Sequence, residues 1–299
     1  MRRRIISIAA VAICLLLLLL SIRESSTTRE THIVYSGRPS SSNSDGNANI
    51  NAQLSSKKVA ALMETRATPN LVPLILHFSS VLGPTWPIKI FTTPAVVANL
   101  STSAPLSRLL ADHTVSFELL PASASFTEHS AVSAFLAGPW FWEQLAPAER
   151  VLMFQPDSML CANSARRVDD FLAYDFVGAP VRAGLGEGYN GGLSVRNVGL
   201  ALDITRTESW AADRGEKEGR YKDGPNVDYE DQWFYAKMRE RGARLPAQDV
   251  ASQFAVETIW AERPLGYHQA HVWQAGDMGR VLEWCPEYRL CTSETYTSH

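Results

Sequence analysis

From residue 57 onward the apolar residues follow two alternating spacings. "KKVAALMET" is a short continuous apolar run bounded by polar residues, the pattern of a strand buried on both faces. In "PNLVPLILHFSSVL", Leu71, Leu74, Ile75, Phe78 and Leu82 recur at helical spacing. Pro69 stands near the start of that helix, and Pro73 falls in its first turn, where a missing N–H costs little. "WPIKIFTT" reads as a second strand, "PLSRLLADH" as a helical connection and "TVSFELLP" as a third strand. A helical region over "SAVSAFLAGPWFWEQL" precedes the strand "RVLMFQPDS". Strands and helices in alternation predict an α/β fold with a mainly parallel sheet flanked by helices. In such sheets ligands bind beyond the carboxyl ends of the strands, which is where Asp157 falls.

Beyond residue 160 the rhythm loosens. "RRVDDFLAYDFVGAPVRAGLGEGYNGGLSVRN" predicts a short helix, a short strand, a Gly-rich loop and a strand that starts at Gly191 and Gly192. "NVGLALDITRTES" reads as a helix and "GEKEGRYKDGPN" as a mobile loop. "VDYEDQWFYAKMRERGARL" is a helix with Glu230 and Asp231 in its first turn. "ASQFAVE" reads as a further strand, followed by "PLGYHQAHVW".

The first 56 residues change the picture. Arg2, Arg3 and Arg4 precede an uncharged run from Ile5 to Ile22, which as a helix would rise about 27 Å. Ile22, Arg23 and Glu24 make a poor cleavage site, so a transmembrane signal anchor is favoured over a cleaved signal peptide. The arginines would stay cytoplasmic as a tail over 1–4, with the anchor over 5–22 and the rest lumenal, a type II arrangement. So short a span points to an ER or Golgi membrane. Residues 23–56 are rich in Ser, Thr and Asn and read as a flexible stem, leaving 57–299 as the globular domain. Asn99 in "NLS" is a glycosylation acceptor if exposed.

Composition narrows the class further. Apolar residues make up 45% and charged residues 20% of the chain, which is globular, and a net charge of −3 gives no reason to expect nucleic acid as a partner. Cys14 lies in the apolar run. Cys161, Cys285 and Cys291 would face an oxidising lumen. Cys285 and Cys291 are close enough to bridge, leaving Cys161 reduced; equally, all three can be buried thiols. The chain contains no CxxC pair.

Five stretches carry candidate chemistry, each with a plainer alternative. Asp157 in "FQPDS" is a ligand for Mn²⁺ or Mg²⁺, with Gln155 and Ser158 as polar contacts, or it is a turn residue. Gly191 and Gly192 in "GEGYNGGLSVRN" allow close backbone approach to a ligand, or belong to a hairpin. Glu230 and Asp231 in "DYEDQWF" offer a general base, or merely suit a helix N-terminus. His268 and His271 are candidate metal ligands or ordinary core and surface histidines. Arg66, ending "METR", pairs with a diphosphate or faces solvent.

Together, "METRATPNLVPLILHFSSVLGPTWPIKIF", "VLMFQPDSMLC", "DFLAYDFVGAPV", "YNGGLSVRN", "YEDQWF" and "LGYHQAH" resemble an uncharacterised, mostly fungal family known as a domain of unknown function. Its members look like GT-A-fold glycosyltransferases. The resemblance runs from Lys57 to His271 and implies a Rossmann-like nucleotide-binding half followed by an acceptor half. By this likeness Asp157 stands at the last position of a DxD metal motif, while Gln155 replaces its first carboxylate. Asn190, Gly191 and Gly192 match the loop facing donor sugar and acceptor. Glu230 and Asp231 match the acidic pair that supplies the base, Asp231 before Glu230. Glu64, Thr65 and Arg66 would lie near the nucleotide.

The leading expectation is a metal-dependent, inverting type II membrane glycosyltransferase. It would take a nucleotide-sugar donor, with Mn²⁺ or Mg²⁺ on Asp157 and His268, and a glycan or glycoprotein acceptor. A second expectation, prompted by Gln155, is a non-catalytic carbohydrate- or nucleotide-binding module on the same fold. A third is a metal-dependent phosphotransferase or hydrolase, for which the chain offers no phosphate loop.

Overall fold

A computed structural model describes residues 57–126, 128–216 and 225–291, without the side chain of Glu216. The expected tail, anchor and stem, and most of the loop read as mobile, lie outside the described residues. Among the described residues no helix is long and apolar enough to cross a membrane.

The first half follows the predicted alternation. It runs β1 (Lys58–Met63), α1 (Leu71–Leu82), β2 (Ile88–Thr92), α2 (Pro94–Leu100), α3 (Ala104–Ala111) and β3 (Val115–Leu119). Next come α4 (His129–Leu136), α5 (Pro139–Leu145), β4 (Arg150–Phe154) and β5 (Ser158–Leu160). The helical region read as one piece is two helices. Gly138 is extended at φ −92° and ψ 161°, and Pro139 has no N–H to continue the ladder. Side-chain caps start α2 and α3: Thr93 accepts from the Val96 N–H and Ser103 from the Leu106 N–H. Asn99 is exposed near the end of α2, as glycosylation there requires.

The second half contains β6 (Phe176–Pro180), β7 (Tyr189–Asn197), α6 (Val198–Thr207), α7 (Trp210–Glu216) and α8 (Glu230–Glu240). It continues through α9 (Gln248–Phe254), β8 (Ala255–Val256), β9 (Gly266–His268), α10 (Ala270–Trp273) and α11 (Met278–Trp284). Most of "ASQFAVE" is therefore the end of a helix, with only Ala255 and Val256 in a strand. The alternation that suggested a strand is too short to exclude one buried helical turn, and Ala251 and Phe254 are that buried face.

The main sheet has the order β3-β2-β1-β4-β7-β6. The first four strands are parallel, while β7 runs antiparallel to both β4 and β6. The mainly parallel sheet is thus mixed at one side. β1 is central, and its near-continuous burial matches its unbroken apolar run. α1 buries Leu71, Leu74, Ile75 and Phe78, and Phe78 stacks on Phe154 of β4 with ring centroids 3.9 Å apart. Chain order reverses around β1, with β2 on one side and β4 on the other. The crevice beyond the carboxyl ends of β1 and β4 is therefore the switch point of the sheet.

A smaller sheet, β5-β9-β8, lies beyond β4. Its β5–β9 pairing sets Ser158 opposite His268. Cys161, just past β5, is bonded to Cys285, just past α11, and Cys291 is a buried free thiol. This corrects the Cys285–Cys291 bridge: the fold brings residues 124 apart in sequence to a Cα separation of 5.0 Å, which spacing along the chain does not reveal.

Candidate functional site

A cavity of about 670 Å³ opens at the switch point. Glu64, Thr65 and Arg66 from the end of β1 line it, as do Gln155, Pro156 and Asp157 from the end of β4. Gly191, Glu230 and His271 complete much of its polar wall.

The Asp157 wall begins with a tight turn. The Gln155 N–H donates to Ser158 Oγ at 3.1 Å, and the Ser158 hydroxyl donates back to the Gln155 carbonyl at 2.7 Å. Ser158 is fully buried and outside the cavity lining, so it shapes the turn and does not meet a ligand as expected. Asp157 is clamped by Gln269, whose backbone N–H donates to the Asp157 carbonyl at 3.1 Å and whose Nε2 donates to Oδ2 at 2.8 Å. Gln269 holds a left-handed φ of 46°, a conformation that needs surrounding contacts to maintain it.

His268, on β9, is buried behind this wall and outside the cavity lining. Its Nε2 lies 3.3 Å from Asp157 Oδ1 and 3.1 Å from Gln155 Oε1. Its Nδ1 lies 3.0 Å from Glu257 Oε1. Burial alone would lower the imidazole pKa, but Asp157 and Glu257 outweigh burial and raise it to about 10. Burial would raise Asp157, yet hydrogen bonding and charge from His268 bring it down to about 2.

That arrangement is a test of metal fit. A neutral imidazole giving Nδ1–H to Glu257 aims its Nε2 lone pair at two oxygens, so a positive charge is required there, a proton or a cation. A histidine backed by a carboxylate is also a common support for a metal ligand. Asp157 and His268 therefore fit a hard or borderline divalent cation, with the Gln155 amide oxygen beside them. Among the described residues no cluster of three or more His, Cys, Asp or Glu is disposed to hold a metal, so the ligand itself would complete the coordination. His271 is turned elsewhere, toward Tyr288, and does not join His268.

The opposite wall is the start of α8 against β7. Glu230 Oε2 accepts from Ser133 Oγ at 3.2 Å, and Oε1 lies 3.4 Å from Arg196 Nη2. Asp231, by contrast, is outside the cavity lining. Its Oδ2 accepts the Gly191 N–H at 2.7 Å and its Oδ1 the Gln232 N–H at 2.7 Å. Burial and the neighbouring Glu230 raise its pKa. Arg196 is fully buried among Phe176, Phe234 and Trp142, and its Nη1 has no hydrogen-bond partner.

Close contact explains the paired glycines, which lie within β7 and not at its start. A Cβ on Gly192 would sit 2.2 Å from His268 Nε2, and one on Gly191 would sit 2.2 Å from Arg196 Nη2. Asn190 lies outside the cavity lining, and its Oδ1 accepts the Gly192 N–H at 2.7 Å, so it holds the strand's path. The preceding glycine loop is a hairpin connection, fastened to α8 through Gln232, whose Nε2 donates to the Leu185 carbonyl at 3.2 Å and whose Oε1 accepts the Glu187 N–H at 3.0 Å.

At the rim, Arg66 pairs with Glu64 through two bonds, Nε to Oε1 at 3.0 Å and Nη2 to Oε2 at 2.9 Å. The Arg66 side chain is 75% exposed, so the pair leaves its outer face available. Sequence reasoning missed Glu257, Gln269, Arg196 and Ser133. Gln269, between His268 and His271, and Arg196, in the strand after the glycine loop, lay in stretches already singled out.

Fold and site together define an α/β protein with a charge-lined cleft at the switch point of its sheet. The family model described as a protein of unknown function, DUF5672, matches residues 114–268, more than half of the chain. The chain belongs to this family. No curated protein matches it by sequence. Among solved structures it is similar to the apo-form glycosyltransferase GlyE of Streptococcus pneumoniae TIGR4, at 13% identity and a TM-score of 0.46. That alignment covers 71% of this chain and 54% of GlyE, so the chain spans about half of that structure. The galactosyltransferase LgtC, in complex with donor and acceptor sugar analogues, aligns at 13% identity and a TM-score of 0.44, covering 81% of this chain and 98% of LgtC. The mannosyltransferase PcManGT of Pyrobaculum calidifontis, in complex with GDP-Man and Mn²⁺, aligns at 12% identity and a TM-score of 0.40, covering 65% of this chain and 55% of that one. Similarity this low carries no residue role from one chain to another.

Proposed function

We propose that the protein is a glycosyltransferase of GT-A type that uses a nucleotide-sugar donor and a divalent cation. The observation that carries this reading is the switch-point cavity with two chemically different walls. One offers Asp157, with the buried His268 behind it at a point that demands positive charge. The other offers the carboxylate of Glu230. A cleft with a cation site for a diphosphate and a separate carboxylate for a hydroxyl proton is what sugar transfer from a nucleotide needs.

Asp157 and His268 would hold Mn²⁺ or Mg²⁺, whose charge offsets that of a leaving diphosphate. Arg66 and Thr65 line the nucleotide side, with Glu64 fixing the Arg66 fork. Glu230 takes the proton of the acceptor hydroxyl. The acceptor oxygen bonds to the anomeric carbon as the bond from that carbon to the diphosphate oxygen breaks, and the electron pair leaves with the diphosphate. A single displacement inverts the anomeric centre. Asp231 positions Gly191 through its N–H bond, so the role of base passes from Asp231 to Glu230. The ER or Golgi location and the type II anchor extend this reading from the sequence of residues 1–56.

The test is calorimetric titration of the full chain with UDP and GDP, with and without Mn²⁺. Metal-dependent binding that disappears in Asp157→Ala is the expected result. Metal-independent binding retained in that variant would favour the binding-module alternative that Gln155 prompts, and would remove Asp157 from the metal site.

A further inference from the structure

His271 is the second residue of α10 and lines the same cavity as Asp157 and Arg66. Its backbone N–H donates to Tyr288 Oη at 3.3 Å, and its Nδ1 lies 3.0 Å from that same oxygen. Tyr288 is fully buried, with the Tyr267 ring edge-on at a centroid distance of 6.0 Å, so the phenol is a fixed partner. The imidazole is therefore held at Nδ1. Nε2 is the remaining polar atom of the ring, and it carries the ring's proton in the tautomer whose Nδ1 accepts from Tyr288. The residue is half-buried and lines the cavity, with its ring orientation set at Nδ1.

The location of this donor is set by Asp157. Gln269 links the two through its paired bonds to Asp157, and α10 begins at the next residue. His271 thus rides on the turn that clamps the candidate metal ligand. Gln155, beside Asp157, is neutral, so positive and N–H groups on this wall face fewer carboxylates than a pair of acidic residues would supply.

We infer that His271 is a diphosphate-binding residue, its Nε2–H donating to an oxygen of the terminal phosphate of a nucleoside diphosphate in an orientation fixed by Tyr288. This rests on the nucleotide-sugar reading. A donor so placed strengthens its bond as negative charge collects on the leaving diphosphate, and the ring orientation costs no rearrangement at that moment.

The experiment compares wild type, His271→Asn and His271→Gln as full chains in Mn²⁺, titrated with UDP, GDP, UMP and GMP. The Gln amide nitrogen reaches the Nε2 position, whereas the shorter Asn amide reaches only Nδ1. Expected is a loss of about tenfold to a hundredfold in diphosphate affinity for His271→Asn, the effect of one hydrogen bond to a charged group. Monophosphate affinity stays at the wild-type value, and His271→Gln recovers most of the diphosphate loss. Wild-type diphosphate affinity in His271→Asn, or equal losses for mono- and diphosphates, overturns the inference alone. Absence of diphosphate binding by the wild type overturns the nucleotide-sugar reading and this inference with it.

Discussion

The two walls of the cleft solve the problem of a buried charge differently. On the Asp157 wall the charges are matched atom by atom. His268 has a carboxylate on each ring nitrogen, and Asp157 has Gln269 on its second oxygen. On the Glu230 wall two adjacent carboxylates share one arginine, and that arginine leaves a nitrogen unpaired. The first wall is a closed network that a cation can enter by replacing a proton. The second keeps an excess of negative charge in a buried place, which with burial raises the proton affinity of Asp231.

The widest separation between the walls, and within the second one, lies in transfer activity. Glu230→Gln keeps shape and removes the proton acceptor. Its kcat for sugar transfer should fall by about a hundredfold to ten-thousandfold, the span of a lost general base. Asp231→Asn leaves Glu230 in the cavity, so its loss should be far smaller and accompanied by reduced stability through the Gly191 contact. Steady-state kinetics with any donor identified by nucleotide titration decides between them. The reverse ranking would return the base to Asp231.

Stability gives the next contrast. Arg196→Leu strands Glu230 without its buried counter-charge and should destabilise the protein by about 3–5 kcal/mol. That is a large part of an ordinary domain's stability of about 5–15 kcal/mol. Adding Glu230→Gln to Arg196→Leu removes the stranded charge and should recover part of the loss. Urea unfolding of wild type, both single variants and the double variant gives the coupling directly. Additive single effects would mean that Arg196 serves its aromatic neighbours and not Glu230.

What was legible in the sequence follows the range of the interaction. β1, α1, β2 and β3 each carry their signal within a few residues, as a buried run or a 3.6-residue stripe, and these elements stand where the pattern put them. Asp157 and Glu230 were legible because a carboxylate at a strand end or in a first helical turn is a local feature. Glu257 was not, since it matters only through the β8–β9 pairing that brings it to His268. Arg196 reads as one charged residue in a strand, and nothing nearby announces that Phe176, Phe234 and Trp142 enclose it. Ser158 misled for a related reason: a serine beside a candidate ligand looks like a contact until its hydroxyl is found closing the turn. The Cys161–Cys285 pairing is equally a product of three-dimensional proximity.

The smallest effect concerns the pH response of the Asp157 wall in metal-free protein. His268 has its pKa raised from 6.5 to about 10, so the stability it contributes is complete below its unfolded value and is lost as pH rises through about 10. Asp157 is lowered from 3.8 to about 2, so its contribution is present above 3.8 and is lost as pH falls through about 2. The stability difference between wild type and Asp157→Asn, measured by urea unfolding in EDTA, should therefore be largest between pH 3.8 and 6.5 and shrink on either side. Asp231, beside the other wall, has the opposite sign to Asp157 and the same sign as His268, since a carboxylate with a raised pKa favours the fold at low pH and loses that contribution as pH rises through its folded value. A wild-type to Asp157→Asn difference that stays flat up to pH 10 would mean that His268 is neutral without metal, and the balanced charge on that wall would then have to come from elsewhere.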